Sequence, residues 1–156
     1  MRANKFVLMG IGVGSLMVSA TVISAAEEIN SDAVIKYRQG VMKAQGGLMA
    51  AMAQIVRGKV QYDARLPAYA QALQGIIKDI PDMFPEDSDF GETDAKAEIW
   101  ENSEEFRNAA DKAVNEVETF QKTVATGDKK AIGGQFKELA DACKGCHKKF
   151  RKEEND

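Results

Sequence analysis

The sequence predicts an all-α fold, an antiparallel up-down-up-down four-helix bundle. Apolar residues recur at helical spacing in four stretches, Gly, Pro, Asn and Asp punctuate the gaps between them, and no strand-like alternation appears. Short connections of this kind join neighbouring helices antiparallel. The first helix begins at Asn30 or Ser31, either of which can cap it, and carries Val34, Val41, Leu48, Met52 and Ile55 until Gly58 ends it. The second is capped by Asp63 and carries Leu66, Tyr69, Leu73, Ile76, Ile77 and Ile80, stopped by Pro81. A loop rich in Pro, Asp and Gly follows, from Pro81 to about Asp94. Thr93 or Asp94 opens a long third helix with Ile99, Trp100, Phe106, Ala110, Ala113, Val117, Phe120 and Val124, closed near Gly127. Asp128 starts the fourth, with Ile132, Phe136, Leu139, Cys143, Cys146 and Phe150, and a charged tail runs from Arg151 to Asp156.

Ahead of the bundle, Arg2 and Lys5 precede an apolar run from Phe6 to about Ile23, then Ser24-Ala25-Ala26 and Glu27-Glu28. That is the pattern of a secretory signal cleaved near Ala26. The alternative is an uncleaved anchor, since the run approaches the roughly 18 residues that span a bilayer; its glycines, serines and small-residue exit favour removal. The division is therefore residues 1–26 as signal peptide and residues 27–156 as one bundle domain with a single core. Losing Arg2 and Lys5 but no acid takes the net charge from −3 to −5. Such a balance invites neither nucleic acid nor an anionic membrane surface.

Near the carboxyl end stands Cys143-Lys144-Gly145-Cys146-His147, the C-x-x-C-H pattern of c-type haem attachment. On a helix, residues three and four apart share a face, so both thiols can reach the edge of one haem while His147 turns toward its iron. The thiols add across the two vinyl groups as thioethers, and a neutral imidazole is a good axial ligand. The competing readings are a redox dithiol, a structural disulfide, a zinc site or chance. Zinc normally takes four ligands, whereas the chain has two Cys and one His, all adjacent. A thioredoxin-like dithiol would need a βαβ setting. Export and haem attachment together place the mature chain in the periplasm. With one His, bis-histidine ligation within a chain is excluded. The mature methionines are Met42, Met49, Met52 and Met83, for each of which core packing is the competing role.

The chain resembles the class II c-type cytochromes, the cytochrome c prime family and its low-spin methionine-ligated relatives, over essentially the whole mature length. The resemblance rests on Lys36-Tyr37-Arg38-Gln39-Gly40-Val41-Met42, on Val56-Arg57-Gly58-Lys59 with Tyr62-Asp63, on Glu98-Ile99-Trp100, and on Cys143 to Arg151. It implies a four-helix bundle with one covalent haem c, attached at Cys143 and Cys146, with His147 as proximal ligand. It places Arg38 near a propionate, Gln39 and Asp94 at the haem periphery, and Arg151 beside the proximal face; for Arg38 and Arg151 an ordinary surface charge is the alternative. Met42 takes the distal position, where it either crowds the iron without bonding or serves as sixth ligand. The Arg38-Gln39 pair leans toward the c prime branch and an open iron. A homodimer built on the first two helices is implied as well, although the amphipathic helices are also compatible with a monomer.

Three functions follow: a high-spin cytochrome that binds nitric oxide or carbon monoxide, a low-spin soluble carrier that exchanges electrons with redox partner proteins, and a haem-free helical interaction protein that leaves the motif unexplained. No enzyme is expected, for no nucleophile and base pair or phosphate-binding loop appears. Gly46-Gly47 and Gly133-Gly134 interrupt helical patterns at about 1 kcal/mol per glycine against alanine; close helix approach, room for a flat cofactor or loose packing would account for them. Trp100 reads as a bundle anchor in preference to a haem-region aromatic.

Overall fold

The computed structural model describes residues 30–153. The signal-peptide reading lies outside the described residues. Among the described residues there are five helices, α1 (Ser31–Val56), α2 (Leu66–Ile77), α3 (Glu98–Glu101), α4 (Ser103–Val124) and α5 (Lys129–Phe150), with single 3-10 turns at Asp63–Arg65 and Pro81–Met83. The four long helices form the expected bundle: α4 packs against α2 and α5, and α1 against the same two, which closes the ring. Met52, Leu73, Ile77, Val117, Phe120 and Leu139 are wholly inaccessible at its centre. Among the described residues no helix is long and apolar enough to cross a membrane.

Local chemistry fixes the ends of α1 and α5. Asn30 accepts from the amide of Ala33 at 3.0 Å, and Asp128 accepts from those of Lys130 and Ala131 at 2.9 and 3.1 Å, so both expected caps are made. At the other end of α1, Gly58 adopts φ +67°, its amide bonds to Ile55 and that of Lys59 reaches back to Gln54. This paired closure needs a left-handed residue, which glycine supplies without a Cβ penalty.

Three expectations are corrected. Asp63 does not cap α2: it begins a 3-10 turn and pairs instead with Lys129 at 3.3 Å, while Pro67 occupies the first turn of α2, where a missing amide costs nothing. The long third helix does not open at Thr93 or Asp94. Helix begins at Glu98 and breaks at Asn102 (φ −124°, ψ 49°), because the backbone of residues 94–96 pairs with the chain that leaves α5. Finally, α1 buries Ile35, Arg38, Gln45, Met52 and Ile55, while Val34, Val41 and Leu48 are only partly covered. The buried stripe is rotated toward two polar residues.

Candidate functional site

The last turns of α5 carry the C-x-x-C-H motif. Cys143 and Cys146 are partly buried against the core, unpaired with each other, while His147 is solvent-accessible. Burial raises the pKa of the Cys143 thiol, and burial together with Cys143 pushes Cys146 up to about 11, so both sulfurs are protonated at neutral pH. For His147, partial desolvation and then the charge of Arg151 act downward, favouring the neutral imidazole that binds iron. Among the described residues its ring makes no hydrogen bond, which leaves the nitrogens available. Lys148 and Lys149 in the final turn complement the negative end of the helix dipole, and Lys149 pairs with Glu105 of α4.

Opposite α5, the neighbouring α1 supplies the other candidates. Met42 and Met49 are partly buried and pack against the core; Met52 is enclosed within it and has no open side to offer a ligand. Arg38, one turn before Met42, is only 3% exposed and reaches the loop after α2. Its Nη1 donates to Ser88 Oγ at 3.2 Å and, weakly, to the Met83 carbonyl at 3.4 Å; its Nη2 donates to the Ser88 carbonyl at 3.1 Å and to Thr93 Oγ1 at 2.9 Å. The guanidinium also lies 4.4 Å from the Phe84 ring centroid. No carboxylate is among these partners, and burial pulls its pKa below the usual arginine value. Gln39 is exposed and donates to the Glu92 carbonyl at 2.9 Å, and Asp94 is exposed with its carbonyl bonded to the Lys152 amide at 2.7 Å. Arg151 follows the last turn of α5, its amide on the His147 carbonyl at 2.9 Å.

An aromatic column joins the two helices. Phe84, under Arg38, meets Phe106 edge-on at 4.8 Å, and Phe106 meets Phe150 at 5.2 Å. Trp100 anchors the loop, its Nε1 donating to the Pro85 carbonyl at 2.9 Å. Sequence reasoning missed Phe84 and Ser88 and gave Thr93 only the role of a helix start. Ser88 is fully buried and Thr93 9% exposed, yet both fall in an aperiodic stretch where only turn residues signal anything.

The residues present fit a covalently held haem: two unpaired, protonated thiols and an unencumbered imidazole lie within five residues of one helix, beside a helix offering a thioether and a buried cation. A cavity of about 340 Å³ lies elsewhere, lined by Ile55, Gly58, Leu66, Lys129 and Ile132, and no residue of the C-x-x-C-H motif borders it. Gly46, Gly47 and Gly134 would meet nothing within 4 Å if given a Cβ, and only Gly133 has a neighbour, Val56, at 4.0 Å. Close helix approach within this chain therefore does not explain the other three.

Comparison with known proteins agrees with this arrangement. A family model described as Cytochrome C' matches residues 33–151. Cytochrome c prime of Pararhodospirillum photometricum is 32% identical over 121 residues, covering 77% of this chain and 97% of that one. Cytochrome c-556 of Agrobacterium tumefaciens strain II Chrys is 31% identical over 118 residues, with 75% and 95% covered. In fold, the chain is similar to a nitric oxide complex of a cytochrome c prime variant from Alcaligenes xylosoxidans, at TM-score 0.75 and 22% identity, covering 82% of this chain and 100% of that one. With the motif, the bundle and these relatives in agreement, the chain belongs to the cytochrome c prime family of class II c-type cytochromes, and its cofactor is covalently attached haem c.

Proposed function

We propose that the mature chain is a periplasmic monohaem cytochrome with an open iron position that takes nitric oxide or carbon monoxide. The observation that carries this reading is the pairing of neighbours: α5 presents two free thiols and an unbonded imidazole, and α1 beside it presents Met42, partly buried. In this reading Cys143 and Cys146 would form the thioethers, His147 would hold the iron, and Met42, on the neighbouring α1, would act as a steric guard. Bound there, haem c supplies an iron that takes a diatomic gas or passes an electron. Arg38 commits its four terminal N–H groups to the loop, which leaves its Nε–H for a propionate. Gln39 and Asp94 would contact the haem periphery, and Arg151 would stand near the iron ligand His147. The chain acts as a binder or carrier and performs no turnover chemistry.

A second reading makes the Met42 thioether the sixth ligand and the chain a soluble electron carrier; its support is the same placement of Met42 on α1. Met42→Ala separates the two. A steric guard predicts faster carbon monoxide binding to the ferrous protein with an unchanged resting spin state. A ligand predicts conversion from low-spin to high-spin iron and a lower reduction potential. Spectra and rates identical to wild type would remove Met42 from both accounts.

A further inference from the structure

The segment between α2 and α3 links the two helices that face the cofactor. Thr93 is its junction. Thr93 Oγ1 accepts from Arg38 Nη2 at 2.9 Å and from the Ala95 amide at 3.2 Å; the Thr93 carbonyl accepts from Lys152 Nζ at 2.9 Å. Its amide donates to the Gly91 carbonyl at 2.9 Å, so every polar group of this buried residue is engaged. Immediately after it, Asp94 accepts from the Lys152 amide at 2.7 Å, Ala95 bridges Arg151, and the Lys96 amide donates to the Phe150 carbonyl at 3.0 Å. The chain then re-enters α5 through the bond from the Arg151 amide to the His147 carbonyl at 2.9 Å. At the other end, Arg38 stands one helical turn before Met42. A continuous run of hydrogen bonds therefore connects the turn that carries Met42 to the turn that carries His147.

We propose that Thr93 is a positioning residue: its hydroxyl and carbonyl tie α1 to the end of α5 and so set how closely Met42 approaches the iron. This rests on the haem and distal-residue assignments above. The physical argument is the asymmetry of buried hydrogen bonds. A guanidinium N–H that loses its acceptor in a water-poor site must find another, and it moves the surrounding chain to do so. Ser88 and the Met83 carbonyl still hold Arg38, so the loop loosens without detaching. Side-chain packing alone then sets the separation of the two helices at this end, and the Met42 wall relaxes outward.

The test uses haem-loaded protein. Thr93→Val keeps volume and β-branching while removing the acceptor; Thr93→Ser keeps the hydroxyl. The Val variant should bind carbon monoxide faster by about threefold or more, equivalent to a small drop in the entry barrier. Its Ala95 and Lys152 amides should exchange hydrogen about tenfold faster, as expected when one charge-assisted bond of the strap is lost. The Ser variant should match wild type in both. Faster amide exchange with unchanged gas rates and spectra would overturn the positioning role and leave Thr93 a loop fastener only. No change in either readout would overturn the strap itself. If the Val variant does not fold, Lys152→Met removes the exposed end of the tie; smaller changes of the same sign support the proposal, and wild-type behaviour overturns it. If wild type itself takes up no carbon monoxide, the gas-binding reading fails independently. The strap is then judged on the Met42–iron bond: Thr93→Val must raise the high-spin fraction, and an unchanged spectrum overturns it.

Discussion

In the haem-free chain, where no propionate stands beside Arg38, replacing it by Met should destabilise the protein by about 2–3 kcal/mol, a net of opposing contributions. Three of its hydrogen bonds, at 2.9, 3.1 and 3.2 Å, have good length, and the fourth, at 3.4 Å, is weak. At roughly 1.5 kcal/mol each, the low end for a charged donor, the three contribute about 4–5 kcal/mol, and stacking on Phe84 adds about 1 kcal/mol. Against this stands the burial of a cation with no carboxylate among its partners, about 3 kcal/mol that Met recovers while keeping the packing of the stem. With a urea slope of about 1.5–2 kcal/mol/M, the unfolding midpoint falls by about 1.5 M. Helix loss followed by circular dichroism in urea at neutral pH reads this directly. Arg38→Lys is the discriminating control. A compact ammonium cannot fork between Ser88 and Thr93 yet still bears the burial cost, so Lys should be no better tolerated than Met. Wild-type stability in the Lys variant, or a loss under about 0.5 kcal/mol in the Met variant, would refute the reasoning.

Two further outcomes follow from single residues. Gly134 lies inside α5, and a Cβ added there would have nothing within 4 Å, so Gly134→Ala should stabilise by about 1 kcal/mol, seen as a rise of a few degrees in thermal midpoint. In the haem-free chain the folded state keeps Cys146 protonated up to about 11, whereas the unfolded thiol ionises near its ordinary 9.0. Between those values the unfolded state binds fewer protons, so stability is full below the lower value and declines as pH rises through the window. Urea midpoints at about pH 8 and about pH 10.5 should therefore separate in the haem-free chain, with a smaller separation in the haem-loaded chain, where the proposed attachment converts both thiols to thioethers.

What the sequence reveals and what it hides divide along local and non-local lines. The caps Asn30 and Asp128, the four long helices and the C-x-x-C-H motif are encoded within a few residues of themselves, and the structure bears out the helices and caps. The inward face of α1 was harder to read, because hydrophobic periodicity treats Arg38 and Gln45 as solvent-facing although both are buried. Arg38 goes inside only because Ser88, Thr93 and Phe84 wait for it some 45 to 55 residues away. Thr93 and Asp94 have the chemistry of a helix start, but pairing with the chain after α5 claims their backbone first. Pro67 is a local signal as well: a proline in the first turn marks the start of α2 more reliably than the aspartate before it.

The most direct test of the account is the optical spectrum of the native protein purified from the periplasm, recorded in the ferric and ferrous states with and without carbon monoxide, and once more on the polypeptide left after acid-acetone extraction. The account predicts haem that stays with the polypeptide, high-spin bands in both oxidation states, and a shifted, sharpened Soret band on adding the gas. Haem that extracts away would contradict attachment at Cys143 and Cys146, and a near-infrared sulfur-to-iron band with no response to carbon monoxide would contradict the open iron position.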